Sequence, residues 1–397
     1  MTSDILGGPD GARLASSRSR AAALIDLGAI ESNVARVREL VGPAEVMAVV
    51  KADGYGHGLV HSARAALAGG ATWIGVAFLE EALALRAAGV NSRLLCWLAA
   101  PGERLATAVL ADIDLSASAP WMIDEIASAS MEAGRVARVH LKVDTGLSRA
   151  GAVMAEWPEL IEAALRAEAR GAVHVVGLWS HLAYGDDPDH ETMSAQVRAF
   201  SEALEVAERL GVHPEVRHLA NSGGALHVPD ARFDLVRIGI ATYGLAPAPR
   251  LADSTALGLR PAMTLTARLA LTKAVPAGAG VSYGHRYSTP EATTLALVPL
   301  GYADGVPRAA SNTAQVLVRG TTTSVRRTIS GTVCMDQFVV DLGAGNDGAF
   351  VAGDEVVLFG PGDSGEPTAQ EWAEALNTIS YEIVTRVGSR VPRVYER

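Results

Sequence analysis

A (β/α)8 barrel of the TIM type followed by a mainly antiparallel β-domain is the fold this sequence predicts, and three observations carry it. Eight short apolar, β-branched runs recur through the first two-thirds of the chain. Ala/Leu/Glu/Arg segments with helical periodicity separate most of them. Beyond Arg260 and Pro261 the pattern changes to short alternating strands rich in Val, Thr and Gly. The runs are 46–50 (VMAVV), 73–78 (WIGVAF), 93–98 (RLLCWL), 112–116 (DIDLS), 138–143 (RVHLKV), 173–180 (VHVVGLWS), 216–219 (VRHL) and 234–240 (DLVRIGI). Helical segments such as 79–88, 120–133, 152–170 and 191–211 lie between them, several closed by a glycine at 89, 134 or 211. An open, doubly wound sheet is the alternative. It is disfavoured because the count reaches eight and no GxGxxG turn opens the first unit.

Around this repeat the remaining segments fall into order. Residues 1–20 lack the apolar core of a secretory signal and read as a disordered tail whose Arg18 and Arg20 are solvated. Ala21 to Asp26 reads as a short strand and Leu27 to Leu40 as an amphipathic helix, so the barrel domain is drawn as 21–260 and the β-domain as 261–397. A helix at Thr368 to Asn377 follows a proline turn.

Of the 397 residues 49% are apolar and 20% charged, with no apolar run long enough to span a bilayer, so a membrane role is not expected. A net charge of -10 argues against a nucleic-acid partner, which needs a basic surface. The two cysteines, Cys96 and Cys334, give neither a disulfide framework nor metal-ligand spacing, as expected in a reducing compartment; no metal is predicted.

Reactive groups of a barrel belong at the C-terminal ends of its strands. Lys51 follows the first run in VMAVVKADGYGHG, beside Tyr55 and His57. Lys142 and Asp144 end the fifth, His181 the sixth, Asn221 and Ser222 follow the seventh, and Arg237 with Gly239 ends the eighth. Each has a bland reading: Lys51 as a rim lysine, His181 as a satisfied core histidine, NSGG as a tight turn. Together they mark one face. A desolvated lysine can serve as an amine nucleophile. NSGG at 221–224 and RIGI at 237–240 suit a phosphate, because glycine lets the backbone approach and Ser222 offers a hydroxyl. A phosphate cradle opposite a lysine is the pattern of a pyridoxal phosphate site.

The ordered motifs AVVKADGYGHG, LKVDTGLSRAG, WSHLA, HLANSGG, VRIGIATYGL, GVSYGHRY, GYADGVPR, GTVCMDQ and NTISYEIVTR run from about residue 22 to 397. As a set they resemble the alanine racemases, fold-type III pyridoxal phosphate enzymes. The resemblance implies interconversion of L- and D-alanine by two bases, supplying D-alanine for peptidoglycan, in a homodimer whose active site is shared between subunits. It implies that Lys51 carries the cofactor as an aldimine and acts as one base, with Tyr283 as the other. His181 and Arg237 then form the hydrogen-bonded chain to the pyridine nitrogen. Ser222, Gly239, Ile240 and Tyr381 contact the phosphate, with Tyr55 and Asn221 beside them. Arg149 takes the substrate carboxylate, Lys142 is the carbamylated lysine, and Met335 and Asp336 close the substrate pocket. Tyr302, Asp304 and Arg308 would line the way in. The loop AYGDDPDH departs from the pattern at Tyr184 and Gly185, which leaves serine open as a second substrate. A decarboxylase of the same fold type would need an acidic partner for the pyridine nitrogen, where RIGI supplies arginine. A cofactor carrier built on the barrel alone would not need the β-domain.

Overall fold

The computed structural model describes residues 19–345 and 348–397, so nearly all of the predicted tail lies outside the described residues. Two compact units are present. One comprises residues 30–54 and 59–259; the other comprises residues 19–29, 55–58 and 260–397.

After an initial strand β1 (Ala21–Asp26), the first unit is built on β2 (Glu45–Val49), β3 (Trp73–Val76), β4 (Arg93–Cys96), β5 (Asp114–Ala117), β6 (Ala137–Lys142), β7 (Val173–Trp179), β8 (Val216–His218) and β9 (Leu235–Ile238). These eight run parallel in the order β8-β7-β6-β5-β4-β3-β2-β9. The Asp234 N–H donates to Arg217 O at 3.1 Å and the Arg237 N–H to Ala220 O at 2.9 Å, which bridges the remaining gap between β8 and β9. Each strand overlaps one predicted run, with β2, β5 and β6 extending one residue beyond theirs. Strands buried on both faces must be apolar throughout, which is why the runs were visible. Met47, Trp73, Leu95, Val176, Val216 and Leu235 fill the interior, with Trp97 against them. The helix predicted at 152–170 begins only at Trp157, because Ala152 forms a parallel bridge to Val143 and Pro158 sits in the first turn.

The second unit holds β10 (Met263–Arg268), β11 (Leu271–Val275), β12 (Gly280–Val281), β13 (Tyr287–Ser288), β14 (Thr293–Val298), β15 (Gln315–Arg319), β16 (Ser324–Thr328), β17 (Phe338–Asp341), β18 (Glu355–Phe359) and β19 (Arg393–Glu396). Its six-stranded sheet has the order β16-β15-β18-β10-β1-β19. The sequence reading groups β1 with the barrel; the strand instead pairs antiparallel with β10 and parallel with β19. Its own pattern, AAALID, carries no mark of its partner, because apolar positions serve either sheet. The late helix spans Ala369–Leu376, with the predicted end residues as caps: Thr368 Oγ1 accepts the Glu371 N–H at 3.1 Å, and Asn377 turns left-handed at φ 52°.

Arg20, expected in solvent, is held by Asp304, whose carboxylate is fully buried. Asp304 accepts from Arg20 Nη2 at 2.6 Å, Arg390 Nε at 3.2 Å and the Gly301 N–H at 2.9 Å. A buried carboxylate with two guanidinium partners contributes more than a surface pair. Asp304→Ala is expected to lower stability by about 1–3 kcal/mol, since it strands the Gly301 N–H and two half-exposed arginines. The check is a drop in the urea midpoint; an unchanged midpoint would show that the cluster contributes nothing.

Candidate active site

Lys51 stands one residue beyond the last apolar position of its strand, where Val50 donates its N–H to Gly75 O at 2.9 Å. The chain then winds left-handed. Ala52 and Asp53 at φ 54°, Gly54 at φ 61° and Tyr55 at φ 52° form one left-handed turn. Such a conformation costs roughly 1–2 kcal/mol for each residue bearing a Cβ, so it persists only where surrounding bonds enforce it. Three do so. The Gly54 N–H reaches Val50 O at 2.8 Å, the Leu59 N–H reaches Asp53 Oδ1 at 2.8 Å, and the Ala52 N–H reaches Glu81 Oε1 at 2.6 Å. Glu81 Oε2 meanwhile accepts from the Ala77 and Phe78 N–H groups at 3.0 and 3.1 Å, so one carboxylate ties two strand-end loops together.

The Lys51 amine makes no hydrogen bond or ion pair among the described residues. Burial, with Arg149 adding to it, lowers its pKa; Glu81 opposes the shift. The same causes act harder on Lys142, which is pulled down to about 8 by burial and by the Arg237 and Arg149 charges against the counter-pull of Asp144. Its ammonium lies 4.3 Å from the centre of the Trp179 ring, and the Arg237 guanidinium carbon lies 4.8 Å from it. A ring shared by two cations offsets some of their repulsion. Arg149 is carried on a loop that Asp144 Oδ1 shapes by accepting from the Gly146, Leu147 and Ser148 N–H groups at 2.9, 3.0 and 3.1 Å. At Gly151, φ is 113° and a Cβ would lie 2.7 Å from the Asp144 nitrogen, so this loop needs glycine.

Arg237 is buried and fully oriented. Nη1 donates to His218 Nδ1 and His218 O at 3.1 and 3.0 Å; Nη2 donates to Ser180 O, His181 Nδ1 and Leu219 O at 2.7, 3.1 and 3.0 Å. Its Nε–H alone has no acceptor among the described residues. A guanidinium donates only, so His181 must present a lone pair at Nδ1 and carry its proton on Nε2. Burial and the Arg237, Arg149, Lys142 and Lys51 charges hold His181 well below the ordinary histidine range, hence neutral.

Beside this group, Ser222 Oγ accepts the Gly239 N–H at 3.0 Å and the Ala241 N–H at 3.4 Å, joining the loops after β8 and β9. Asn221 caps the helix Ser222–His227 by accepting the Gly224 N–H at 3.0 Å, so its side chain is engaged in shaping the loop. Ile240 opens a 3-10 turn over Ile240–Tyr243. Among the described residues the N–H groups of Ser222, Gly223 and Ile240 have no acceptor, an arrangement that suits an anion. A Cβ on Gly223 would lie 1.8 Å from Gly185 O, which explains a glycine there. Gly185 belongs to the unusual loop, where the Tyr184 and His190 rings stack at 3.7 Å and 2°.

Lys51, Lys142, Arg149, His181, Asn221, Ser222, Arg237, Gly239 and Ile240 are therefore all in the barrel unit, on its strand ends and the loops that follow them. In the other unit Tyr55 is buried, its ring 6.2 Å from that of Tyr381. Tyr283 follows Ser282, a non-glycine residue at φ 61°, whose Oγ donates to Thr332 O at 2.6 Å. Tyr283 is 75% and Met335 53% exposed. Asp336 accepts from Arg390 Nη2 at 2.8 Å. Asp304 is itself buried, its carboxylate held by Arg20, Arg390 and the Gly301 N–H.

A family model for the alanine racemase N-terminal domain matches residues 25–247, and one for the C-terminal domain matches residues 262–395. The chain belongs to the alanine racemase family. It is 58% identical over 395 residues to the alanine racemase of Frankia casuarinae, covering 100% of both. Its structure is similar to that of the alanine racemase from D-cycloserine producing Streptomyces lavendulae, with a TM-score of 0.93, 53% identity and coverage of 96% of this chain and 97% of that one. It is also similar to the alanine racemase from Bacillus anthracis with bound L-Ala-P, at TM-score 0.85, 34% identity and 95% coverage of each. Membership in this family makes the chain an isomerase. Sequence reasoning missed Glu81, Trp179 and His218. Glu81 had a signal, an acid three residues into a helix; His218 had one too, a histidine inside an apolar run.

The lowered Lys142 value sets a pH test of the unmodified protein. Between about pH 8 and the ordinary lysine value of 10.5 the unfolded chain binds this proton and the folded one does not, so stability rises with pH across that window. The gain is complete above the unfolded value and is lost as pH falls through about 8. In carbonate-free buffer the stability advantage of Lys142→Met over wild type is expected to shrink by up to ~3 kcal/mol between these limits. A constant difference in chemical denaturation would refute it.

Proposed function

We propose that the chain interconverts L-alanine and D-alanine with pyridoxal 5'-phosphate as cofactor. In this reading it acts as a homodimer in the cytoplasm, and its D-alanine feeds cell-wall peptidoglycan. The observation that carries the cofactor assignment is Arg237, whose Nη atoms are wholly engaged by protein while its Nε–H lacks an acceptor. That leftover donor fits a neutral ring nitrogen and no cationic one. The free Lys51 amine fits the aldehyde, and Ser222, Gly239 and Ile240 fit the phosphate; the motif resemblance adds Tyr55 and Tyr381 to the phosphate contacts. When bound, pyridoxal phosphate supplies an aldehyde that condenses with amines and a ring that withdraws electrons from the substrate Cα.

The chain's own residues do the rest. Equal enantiomers demand one base on each face of Cα. Lys51, with its amine proton loosened by burial and Arg149, serves one face; Tyr283 of the partner subunit serves the other. The proton leaves Cα to one group and returns from the other on the opposite face. Neutral His181, protonated on Nε2, offers that N–H to the tyrosine oxygen and steadies its anionic form. Arg149 takes the substrate carboxylate, and Met335 and Asp336 limit the pocket to small side chains. A wall at the alanine methyl discriminates against serine by only about 1–3 kcal/mol, so slow serine racemisation is part of the proposal. Lys142, about half unprotonated near pH 8, can add CO2 with release of a proton. The carbamate anion then replaces a repelling cation beside Arg149 and Arg237.

Loss of optical rotation from L-alanine, with deuterium entering Cα in D2O, tests the reading. Lys51→Ala is expected to abolish both signals and Tyr283→Phe to cut them about 10²–10⁴-fold. Exchange with retained L configuration would remove Tyr283 from its role. Arg237→Glu is expected to divert turnover toward transamination; an unchanged product ratio would sink the neutral-nitrogen assignment.

A further inference from the structure

Behind Arg237 the barrel interior holds a line of polar groups that the reaction described above does not use. His218 Nε2 lies 2.9 Å from His140 Nδ1, and His140 Nε2 lies 3.2 Å from Asp114 Oδ2. Asp114 opens β5 at the end of the barrel opposite the candidate site, where Arg138 Nε and Arg93 Nη2 donate to its oxygens at 2.9 and 3.4 Å. Both imidazoles are fully buried. The His140 ring is edge-on to Trp73 at 5.5 Å, and the His218 ring stacks on Trp179 at 5.5 Å and 5°. Space for His140 is made by Gly177, where a Cβ would lie 2.2 Å from Nδ1, and by a register shift between β6 and β7 at that position.

The two ends of this line admit only one direction. Arg237 can only donate, so His218 Nδ1 must be a lone pair and its proton must sit on Nε2. That N–H faces His140 Nδ1, which must also be a lone pair, so the His140 proton sits on Nε2 and points at Asp114. A carboxylate accepts there, and the line closes without conflict. We infer that Asp114 is a positioning residue for Arg237, acting through His140 and His218 to fix the tautomer of both imidazoles. The face that His218 turns to Arg237 is thereby set from the far end of the barrel.

Asp114→Asn reverses the line. Arg138 keeps the amide oxygen, the NH2 group meets His140 Nε2, and both histidines must move their protons to Nδ1. His218 then points an N–H at the Arg237 N–H groups and displaces them. Changing an Asp to Asn behind an imidazole is known to impose the wrong tautomer while leaving geometry intact.

The inference deepens the proposed reading, because Arg237 is there the partner of the ring nitrogen. Neutron diffraction from deuterated crystals of the holoenzyme reads the proton positions directly. Deuterons are expected on Nε2 of His140 and His218, and a deuteron on Nδ1 of either overturns the proposal. In kinetics, Asp114→Asn is expected to lower kcat about 10–100-fold, the usual loss when an outer partner of a functional group is removed, with KM changed less than about twofold. Glu215→Gln, which disturbs the same ion cluster through Arg93, Arg138 and His174 but not the line, is expected to stay within about twofold of wild type. Equal losses in both variants, or a folded Asp114→Asn with unchanged kcat, would overturn it. Should Asp114→Asn not fold, the deuteron positions decide alone. They are readable whatever reaction the site performs, so a failed racemase assay and a failed line are distinguishable.

Discussion

Cation against cation is the constraint on which this site rests. Lys51, Lys142, Arg149 and Arg237 converge on one mouth of the barrel, and each lowers the proton affinity of a neighbour. Such a cluster survives because every member is offset differently. Arg237 is surrounded by carbonyl and imidazole acceptors, Lys142 shares the face of Trp179, and Lys51 feels the Glu81 carboxylate. Arg149 reaches solvent on its own loop. The net field of such a cluster favours anions.

The second constraint is backbone strain. A left-handed turn directly after Lys51 aims the following N–H groups where a right-handed turn could not, and it stands because Glu81 and Asp53 accept them. Glu81 is also bonded to the loop after β3, so the lysine's position is coupled to a second strand end and not to its own loop alone. Strain of this kind is stored where over-determined bonding can hold it.

What could be read from the sequence follows from which signals are local. The eight barrel strands were legible because strands buried on both faces are largely apolar, and Lys51, Lys142, Asp144, His181, Asn221 and Arg237 stand at or near the C-terminal ends of those runs. The late helix was legible to within one residue at each end, and the two residues read as its ends are its caps, Thr368 and Asn377. Partner choice was not. β1 looks alike whether it serves a barrel or a sheet, and Asp304 looks like any loop acid until Arg20 and Arg390 are brought to it from opposite ends of the numbering. His140 and His218 sit inside apolar runs, and only the folded barrel shows that they meet. The roles proposed for Tyr283, Met335 and Asp336 rest on the motif resemblance, since exposed side chains carry no periodicity.

The position of β1 has a consequence for how the chain is made. It is an interior strand of the six-stranded sheet, flanked by β10 and by β19, with Ala23 opposite Leu265 on one side and Arg393 on the other. During synthesis it emerges first and must wait, through the whole of the barrel, for one neighbour and almost to the end of the chain for the other. Pairing at such separations is slow, because loop closure must be completed before the contacts stabilise it. An unpaired strand of this kind is exposed to wrong partners meanwhile. The β-sheet can be closed only once residues 393–396 have followed the barrel out. A fragment starting at Arg260 would lack its interior strand.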